Sequence, residues 1–420
     1  MIRDTCKIRA FVLVAFLAMH GNANAGSIQA KQVNDNHDIE KVNTQKNLSL
    51  LDYNQLLEVK QQLNSSKYAF LYKKLLSSAD QALKEGPFSV VNKTQAPPSG
   101  DKHDYLSLGP YWWPDPDKAD GLPWIRRDGE VNPLTRGDNV DEPRKNNMFG
   151  NVNKLSLAYF FSDDEKYAKK TIELLKVWFL NPETKMNPNL NFAQGIPGTN
   201  TGRGIGIIEF GGIANVANAI EILELNNAIG AADSKALRAW IESYLDWLQH
   251  SEFGVFERTR LNNHGTHYDV QVSSLLLFLN RKEEAKKYLE SVTIPRIEGQ
   301  IEPDGKQPHE LARTKSLSYS TMNLSGFVEL ARLGKKVDVD LWAYSVENGS
   351  SLQKAFEYLE PYVKGEKQWE YKQLGNIDDS FKKLRGLFKK AGSIFGVDAY
   401  CKQFKPKGIN NYSDLLYTCN

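Results

Sequence analysis

Apolar residues recur at three- and four-residue spacing along most of the chain, which is the period of helices that bury one face. No segment sustains the strict alternation of a half-buried strand. The spacing predicts helices over residues 51–63, 67–84, 165–180, 207–225, 234–250, 269–279, 282–292, 318–333 and 352–363. Ser162, followed three residues later by Glu165, predicts a capping box at the start of one of them.

The many helices and the even composition predict one all-α domain over residues 48–420, with a C-terminal extension from about residue 366. Consecutive antiparallel helix pairs can curl into an α/α toroid, either an incomplete or a closed barrel. An open α-solenoid would have the same periodicity, and no sequence repeat separates the two.

One long stretch, residues 96–144, lacks the helical pattern and is rich in Pro, Gly, Asp and aromatic residues. Long insertions of this kind are functional lids, binding loops or disordered segments. Tyr105, Tyr111, Trp112 and Trp113 are costly to leave in water, so we expect an ordered lid loop over a cleft. We call this stretch the aromatic loop.

The N-terminus has the pattern of a signal peptide over residues 1–25: basic residues, a short apolar run and an Ala-x-Ala end. The apolar run is too short to span a bilayer. Residues 26–47 are polar and charged, which predicts a disordered leader. We therefore expect a periplasmic or secreted protein with no membrane association once the signal is removed.

The formal net charge of +2 disappears with the signal peptide, because removing Arg3, Lys7, Arg9 and Asp4 leaves equal numbers of basic and acidic residues. A near-neutral chain argues against a nucleic-acid partner, so any anion must be bound by local clusters. We expect no cofactor and a monomer.

Two cysteines, Cys401 and Cys419, remain near the C-terminus after the signal is removed. In an oxidising compartment they are expected to form a disulfide, which contributes roughly 3 kcal/mol by loop-entropy arguments. Two free thiols are the alternative.

The densest run of chemically active groups is Asn262-Asn263-His264-Gly265-Thr266-His267-Tyr268-Asp269, which leads into an apolar helical segment. A helix start offers free N–H groups and positive potential, which suits an anionic substrate. Further along come Arg313 and Tyr319. Amide, imidazole, guanidinium and phenol groups together are what β-elimination from a uronic acid requires.

In that reaction a base removes the C5 proton, donors stabilise the enolate charge, and an acid protonates the departing O4. Asn263 and His264 are candidates on the carboxylate side. Tyr319 is the candidate base and acid, and Arg313 would lower its pKa if the two meet in space.

Each candidate also has an ordinary structural interpretation. Asn263 can cap the following helix, His264 can be a structural histidine, and Arg313 and Tyr319 can be a salt-bridged and a packed residue. His264 and His267 have the spacing of a metal pair, but no acidic third ligand lies at a recognisable distance, so no metal site is expected.

Other polar and aromatic residues predict a sugar-binding surface. Indole and phenol faces stack on pyranose rings, and arginines bind carboxylates in a bidentate manner. A Gly-rich segment after residue 194 is expected to bring its polar neighbours to the cleft. The candidates are His103, Tyr105, Tyr111, Trp112, Trp113, Arg127, Gln194, Arg203, His267 and Tyr268. The alternative for the rings is that they anchor the loop.

Four stretches resemble the alginate lyase family of polysaccharide lyases: HDYLSLGPYWWP (103–114), GLPWIRRDGEVNP (121–133), NPNLNFAQG (187–195) and NNHGTHYDVQ (262–271). The resemblance spans roughly residues 50–365 and implies an α/α-toroid fold. It also implies that Asn263 and His264 act around the C5 proton and carboxylate, that Tyr319 is the catalytic tyrosine and that Arg313 is its preceding arginine. In this family position 267 more commonly holds a large aromatic residue, and the Arg313–Tyr319 spacing is one residue longer.

The resemblance implies a lyase for 1,4-linked acidic polysaccharides, with mannuronate-rich alginate as the expected substrate. In mannuronate and glucuronate the C5 proton and O4 lie on one side, so one tyrosine can serve as base and acid. Guluronate calls for a separate base such as His264. A glucuronan lyase, a glycoside hydrolase using carboxylates among Glu209, Asp269 and Glu310, and a non-catalytic sugar-binding protein are the alternatives.

Overall fold

The computed structural model describes residues 48–404 and 412–419, and this part of the chain is mostly helical, which confirms the all-α prediction. The predicted signal peptide and leader lie outside the described residues. The helices are α1 (Tyr53–Gln61), α2 (Ala69–Ala82), α3 (Glu142–Ser162), α4 (Glu165–Leu175), α5 (Ile213–Leu225), α6 (Ala231–His250), α7 (Glu252–Arg258), α8 (Asn263–Phe278), α9 (Lys282–Tyr288), α10 (Ile294–Gln300), α11 (Pro308–Leu311), α12 (Ser316–Gly334), α13 (Leu352–Lys364), α14 (Ile377–Phe395) and α15 (Asp398–Gln403).

The strands are short, in keeping with the absence of alternating patterns. They are β1 (Leu106–Leu108), β2 (Trp112–Trp113), β3 (Ile125–Arg126) and β4 (Phe192–Gly195). β1 pairs in parallel with β4, and β2 pairs antiparallel with β3, Trp112 opposite Arg126. Three of the four strands in the described part of the chain belong to the aromatic loop, so this loop has a defined backbone, and β1 pairs it with the Gly-rich segment.

Helix α8 lies inside the helical assembly and packs against α5, α6, α7, α9 and α12. Its residues from Tyr268 to Phe278 are all buried. At its start Asn263 is buried, whereas Asn262 and His264 are partly exposed. Charge interactions in this partly buried region are stronger than they would be in bulk water.

Two long helices, α14 and α3, are missing from the predicted set, although the buried Leu384, Leu387, Phe388 and Ala391 of α14 have helical spacing. In α3 the reason is burial on several faces. Residues 155–161 within it are all buried, as the helix packs against α2, α4 and α5. Because neighbours cover several faces, no single apolar stripe with helical period is visible in the sequence. The predicted capping box is also wrong: the N-cap of α4 is Asp164, whose side chain accepts from the Lys166 N–H, while Ser162 ends α3.

Beyond α13 the chain turns at Gly365, which has a left-handed backbone with φ of 81°. It then runs without helix to α14, which packs against α12, α13 and α15. Cys401 of α15 forms a disulfide with Cys419, which ties the end of the described chain to the extension.

One described segment, Gly204–Leu225, is long and apolar enough to cross a membrane by length and composition alone. However, 61% of its most apolar window is buried inside the protein. It consists of a 3-10 segment, Gly204–Phe210, followed by α5, and core helices of this kind pass the same criterion.

Candidate active site

The first turn of α8 presents Asn263 and His264, and the N-cap of this helix is the preceding residue. The side chain of Asn262 accepts a hydrogen bond from the His264 N–H at 3.2 Å. The interpretation of Asn263 as the helix cap is therefore wrong. Asn262 is the N-cap, so the Asn263 side chain is available to bind other groups. Gly265 is required here, since a Cβ would collide with the carbonyl oxygen of Arg260.

Asn263 is fully buried and is bound to Glu310 of α11. Its amide nitrogen lies 3.0 and 2.9 Å from the two oxygens of Glu310, and its backbone N–H donates to one of them at 2.5 Å. The side-chain oxygen of Asn263 is buried without a hydrogen-bond partner. The amide nitrogen of Asn263 is thus hydrogen-bonded, and the unpaired atom of its side chain is the oxygen, an acceptor.

The Glu310 carboxyl is itself an unusual group. Burial raises its pKa above the usual range, against the hydrogen bonds from Asn263 and the charges of Arg313 and His264, which lower it. These interactions place one buried carboxyl between the start of α8 and the segment that leads to α12.

His264 is held by a second buried carboxylate. Its Nδ1 lies 2.6 Å from Oε1 of Glu257, a residue of α7 with 0% exposure. The other Glu257 oxygen has no hydrogen-bond partner. A carboxylate only accepts hydrogen bonds, so Nδ1 carries the proton and the Nε2 of the neutral ring keeps its lone pair. Nε2 is then a base in the neutral ring and a donor in the imidazolium.

Tyr319 lies in the second turn of α12 and contacts two other candidate site residues. The Arg313 guanidinium carbon lies 3.8 Å from the centroid of the Tyr319 ring, and the Tyr111 and Tyr319 hydroxyls are 2.7 Å apart. Burial raises the pKa of Tyr319, and the bond with Tyr111 raises it further, while the Arg313 charge lowers it. The two residues meet and the Arg313 charge acts to lower the pKa of Tyr319 as expected, but burial outweighs it and the net shift is upward.

Arg313 is oriented by Asp128 of the aromatic loop, at 3.1 Å. Thr314 donates to the same carboxylate at 2.8 Å. Burial acts to raise the pKa of Asp128, but the hydrogen bonds from Arg313 and Thr314 and the Arg313 charge outweigh it and lower the pKa to about 2. Asp128 therefore stays ionised, and the Nε of Arg313 remains buried without a partner.

The indoles of the aromatic loop lie beside arginines. Arg203 donates to the Gln194 backbone and side-chain oxygens, both at 2.9 Å, and its guanidinium carbon is 5.9 Å from the Trp112 ring. The guanidinium of Arg127 lies 5.1 Å from the Trp113 ring. The structure thus brings Gln194, Arg203 and Trp112 together, which is a suitable arrangement for binding an acidic sugar.

Four predicted binding residues are engaged elsewhere. Tyr105 and Tyr268 have 0% and 1% exposure, and their hydroxyls donate to Glu209 and to the Leu248 carbonyl oxygen. The prediction that their rings contact substrate is wrong, because a ring without exposed faces cannot stack on a sugar. Nε2 of His267 is 3.1 Å from the Met322 oxygen, and burial lowers the pKa of this ring. His103 is partly exposed, with Nδ1 2.6 Å from the Lys185 oxygen.

Of the three carboxylates considered for a glycoside hydrolase, Asp269 and Glu310 are buried, Glu209 is partly buried, and all three are hydrogen-bonded. Glu209 accepts from Tyr105 and Ser107, Asp269 is paired with Arg296, and Glu310 holds Asn263. None is free to flank a glycosidic bond, which argues against that alternative. Within the described residues, no group of three or more His, Cys, Asp or Glu is placed to hold a metal ion.

The sequence did not predict the three carboxylates that hold the candidate catalytic residues. Glu257 holds His264, Asp128 holds Arg313, and Glu310 holds Asn263. Asp128 belongs to the stretch 121–133 that carries part of the family resemblance, directly after Arg127. Glu257 has no such signal, because it lies seven residues before His264 on a separate helix, and only the packing of α7 against α8 brings the two together.

A family profile described as alginate lyase matches residues 89–369, about two thirds of the chain. The chain belongs to the alginate lyase family. It is therefore a polysaccharide lyase, as the motifs predicted. No curated protein matches the chain.

Solved structures agree with this assignment. The chain is similar to an alginate lyase from Bacteroides ovatus, with 37% identity and a TM-score of 0.85 over 89% of this chain and 100% of that one. It also resembles alginate lyase A1-III from Sphingomonas species A1, with 14% identity and a TM-score of 0.54 over 87% and 95% of the two chains. A variant of that lyase complexed with tetrasaccharide has 14% identity, with a TM-score of 0.57 over 87% and 94%. The two latter similarities concern the fold alone.

Proposed function

We propose that this protein cleaves 1,4-linked uronate polymers, and alginate in particular, by β-elimination. The observation that carries the proposal is the Tyr319 phenol, flanked by Arg313 and Tyr111, together with a His264 imidazole whose Nδ1 is held by a buried carboxylate. Further support comes from the 37% identical Bacteroides ovatus protein, which is described as an alginate lyase.

In the proposed reaction Tyr319 takes the C5 proton and returns a proton to O4. The C5–H electrons form the C4–C5 double bond as the C4–O4 bond breaks. The raised pKa of the phenol suits the proton-donating step. For the proton-accepting step the phenolate needs stabilisation, and two neighbours supply it: the Arg313 cation over the ring and the Tyr111 hydroxyl as a donor.

The substrate carboxylate needs neutralisation so that C5 becomes acidic. We assign this to His264 in its imidazolium form, donating through Nε2, and to the guanidinium of Arg313, a partly exposed residue. Asn263 is fully buried, so we assign it a positioning role: its amide and its backbone N–H hold the Glu310 carboxyl at the start of α8. Asn263 and Glu310 therefore act as a pair.

Mannuronate-rich alginate is the proposed preference. In mannuronate the C5 proton and O4 lie on one side of the ring, so the single phenol can carry out both transfers. Cleavage of guluronate would instead use the neutral His264, with Nε2 as base and Tyr319 as acid. The same fold acting on glucuronan is the second candidate, because glucuronate shares the geometry of mannuronate at C4 and C5.

We further propose that the helix pairs form an α/α toroid and that the aromatic loop is a lid over its cleft. Two contacts between residues far apart in the sequence support the lid: Tyr111 with Tyr319, and Asp128 with Arg313. An export signal over residues 1–25, a leader over 26–47, a periplasmic or secreted location and a monomeric state complete the proposal. The Cys401–Cys419 disulfide suits an oxidising compartment.

An ultraviolet assay on polymannuronate, polyguluronate and glucuronan tests the function directly. Elimination leaves a C4–C5 double bond conjugated to the carboxylate, which absorbs in the ultraviolet, whereas hydrolysis leaves none. We expect the fastest rise in absorbance on polymannuronate. New reducing ends without absorbance would indicate a hydrolase, and a response to glucuronan alone would transfer the assignment to that polymer.

A further inference from the structure

Helix α12, which carries Tyr319, has no cap of its own. Its N-cap residue is Lys315, whose side chain makes no capping hydrogen bond. The first four N–H groups of a helix have no partner within the helix. At the start of α12 those groups must be satisfied by another part of the molecule.

A segment of the C-terminal extension, residues 369–374, supplies acceptors for two of these four groups, and we call it the C-terminal strap. The Lys372 carbonyl oxygen accepts from the N–H of Ser316 at 3.1 Å and from its hydroxyl at 2.7 Å. The Gln373 side-chain oxygen accepts from the N–H of Ser318 at 3.2 Å. The Leu374 N–H donates to the Thr314 carbonyl oxygen at 2.9 Å, next to Arg313.

The strap is itself held firmly at both ends. At one end the Trp369 indole nitrogen donates to the Ser316 hydroxyl at 2.9 Å, and its ring packs 5.0 Å from that of Tyr362. At the other end the Gln373 amide nitrogen donates to the hydroxyls of Ser318 and Ser380, at 3.0 and 3.3 Å. Ser380 belongs to α14, so Gln373 joins the extension to the start of α12.

The strap also reaches the aromatic loop. A side chain at Gly129 would meet Thr314 and Leu374, so the loop backbone next to Asp128 lies directly against both. Strap, loop and helix start therefore meet around Arg313 and Tyr319. The family match ends at residue 369, so all of the strap except its first residue lies beyond it.

We propose that the C-terminal strap positions the catalytic tyrosine: it caps α12 from outside and thereby sets the orientation of Tyr319 and Arg313, with Gln373 as the main positioning residue. The inference rests on the proposed function. Its physical basis is that the second turn of a helix moves with its first, and a small displacement of a reacting group costs a large factor in rate.

Three variants test the proposal in the full-length protein. Gln373→Ala removes the acceptor for the Ser318 N–H and is expected to lower kcat by about tenfold or more, with KM nearly unchanged. Gln373→Glu keeps an acceptor at the positive end of the helix and is expected to stay within about threefold of the wild-type kcat. The matched control is Asn376→Ala, which removes the same kind of cap from α14 (the Asn376 oxygen accepts from the Asp378 N–H at 2.9 Å) and should leave kcat unchanged.

Amide hydrogen exchange provides a second measurement, which does not depend on catalytic activity. In Gln373→Ala, faster exchange is expected in peptides covering residues 314–320, and in Asn376→Ala only around residues 376–382. A wild-type kcat in Gln373→Ala, or unchanged exchange over 314–320, would overturn the proposal. If the wild-type protein forms no unsaturated product from any uronate polymer, the proposed function fails, and the exchange experiment alone decides the role of the strap.

Discussion

The two helix starts that bear the candidate catalytic groups are held in different ways. Helix α8 has its own cap in Asn262, and the side chains of its first turn are bound by fully or nearly fully buried carboxylates on short neighbouring helices. Helix α12 has no cap from its own N-cap residue, and its start is held by the C-terminal strap and the aromatic loop, both distant in sequence.

The site thus has two halves. We call the start of α8 the built-in half, because the helical core holds it, and the start of α12 the assembled half, because segments distant in sequence hold it. The α8 half is buried among helices, so its geometry is present whenever the core is folded. The α12 half depends on surface segments, which open at lower free-energy cost than core helices. Tyr319 and Arg313 are therefore the groups whose geometry responds to loop movement, substrate binding or changes in the extension.

The strongest test of the assembled half is Tyr319→Phe, which removes only the phenolic oxygen. We expect near-abolition of turnover with the fold intact, a loss of roughly 4 kcal/mol or more of transition-state stabilisation. The measurement is ultraviolet product formation beside thermal unfolding. Tyr167→Phe, which removes a phenol hydroxyl on α4 that donates to Asp80, is the control. More than about a tenth of wild-type turnover in Tyr319→Phe would rule out the phenol as base and acid.

The built-in half is tested by Glu257→Gln. We expect kcat to fall by about ten- to a hundredfold with little change in KM, because the imidazole loses the charged acceptor that fixes its Nδ1 proton. Nitrogen NMR of the histidine rings should show a protonated Nδ1 on His264 in the wild type. Glu252→Gln, an exposed change on the same helix, is the control. A stable ring tautomer and an unchanged kcat in Glu257→Gln would reduce Glu257 to a packing residue.

The aromatic loop contributes binding as well as positioning, and Trp112→Ala separates the two. If the indole stacks on a sugar ring, long polymers should lose roughly 1–3 kcal/mol in kcat/KM, by analogy with other ring-stacking surfaces. Short oligomers that do not reach this subsite should lose less. Equal losses on every length, with a lower melting temperature, would mean that Trp112 anchors the loop.

The smallest expected effect concerns the link between loop and helix. Asp128 has its pKa lowered from 3.8 to about 2 in the folded protein, so its contacts with Arg313 stabilise the fold above pH 3.8 and are lost as the pH falls toward 2. Asp128→Asn should therefore have a slightly lower melting temperature than the wild type at pH 6. The gap should narrow as the pH falls below 3.8. A gap that stays constant down to pH 3 would show that the charge of Asp128 does not contribute.

The sequence alone determined the fold class and the chemical inventory of the site. Helical spacing is a local property, so most amphipathic helices were predicted within a few residues. Helix α3 was missed because it is buried on several faces, and α14 was missed although its buried residues have helical spacing. Asn263, His264, Arg313 and Tyr319 stood out because amide, imidazole, guanidinium and phenol are the groups that the reaction requires.

Only the tertiary structure decided which partner each group has. A sequence cannot show that Glu257 faces His264, that Tyr111 meets Tyr319, or that burial outweighs Arg313 in setting the pKa of Tyr319. These depend on helix packing and on segments far apart in the chain. Burial also excludes Tyr105 and Tyr268 as sugar-binding residues. An aromatic ring packs into a core and stacks on a sugar with the same apolar faces, so only the exposure of the ring distinguishes the two roles.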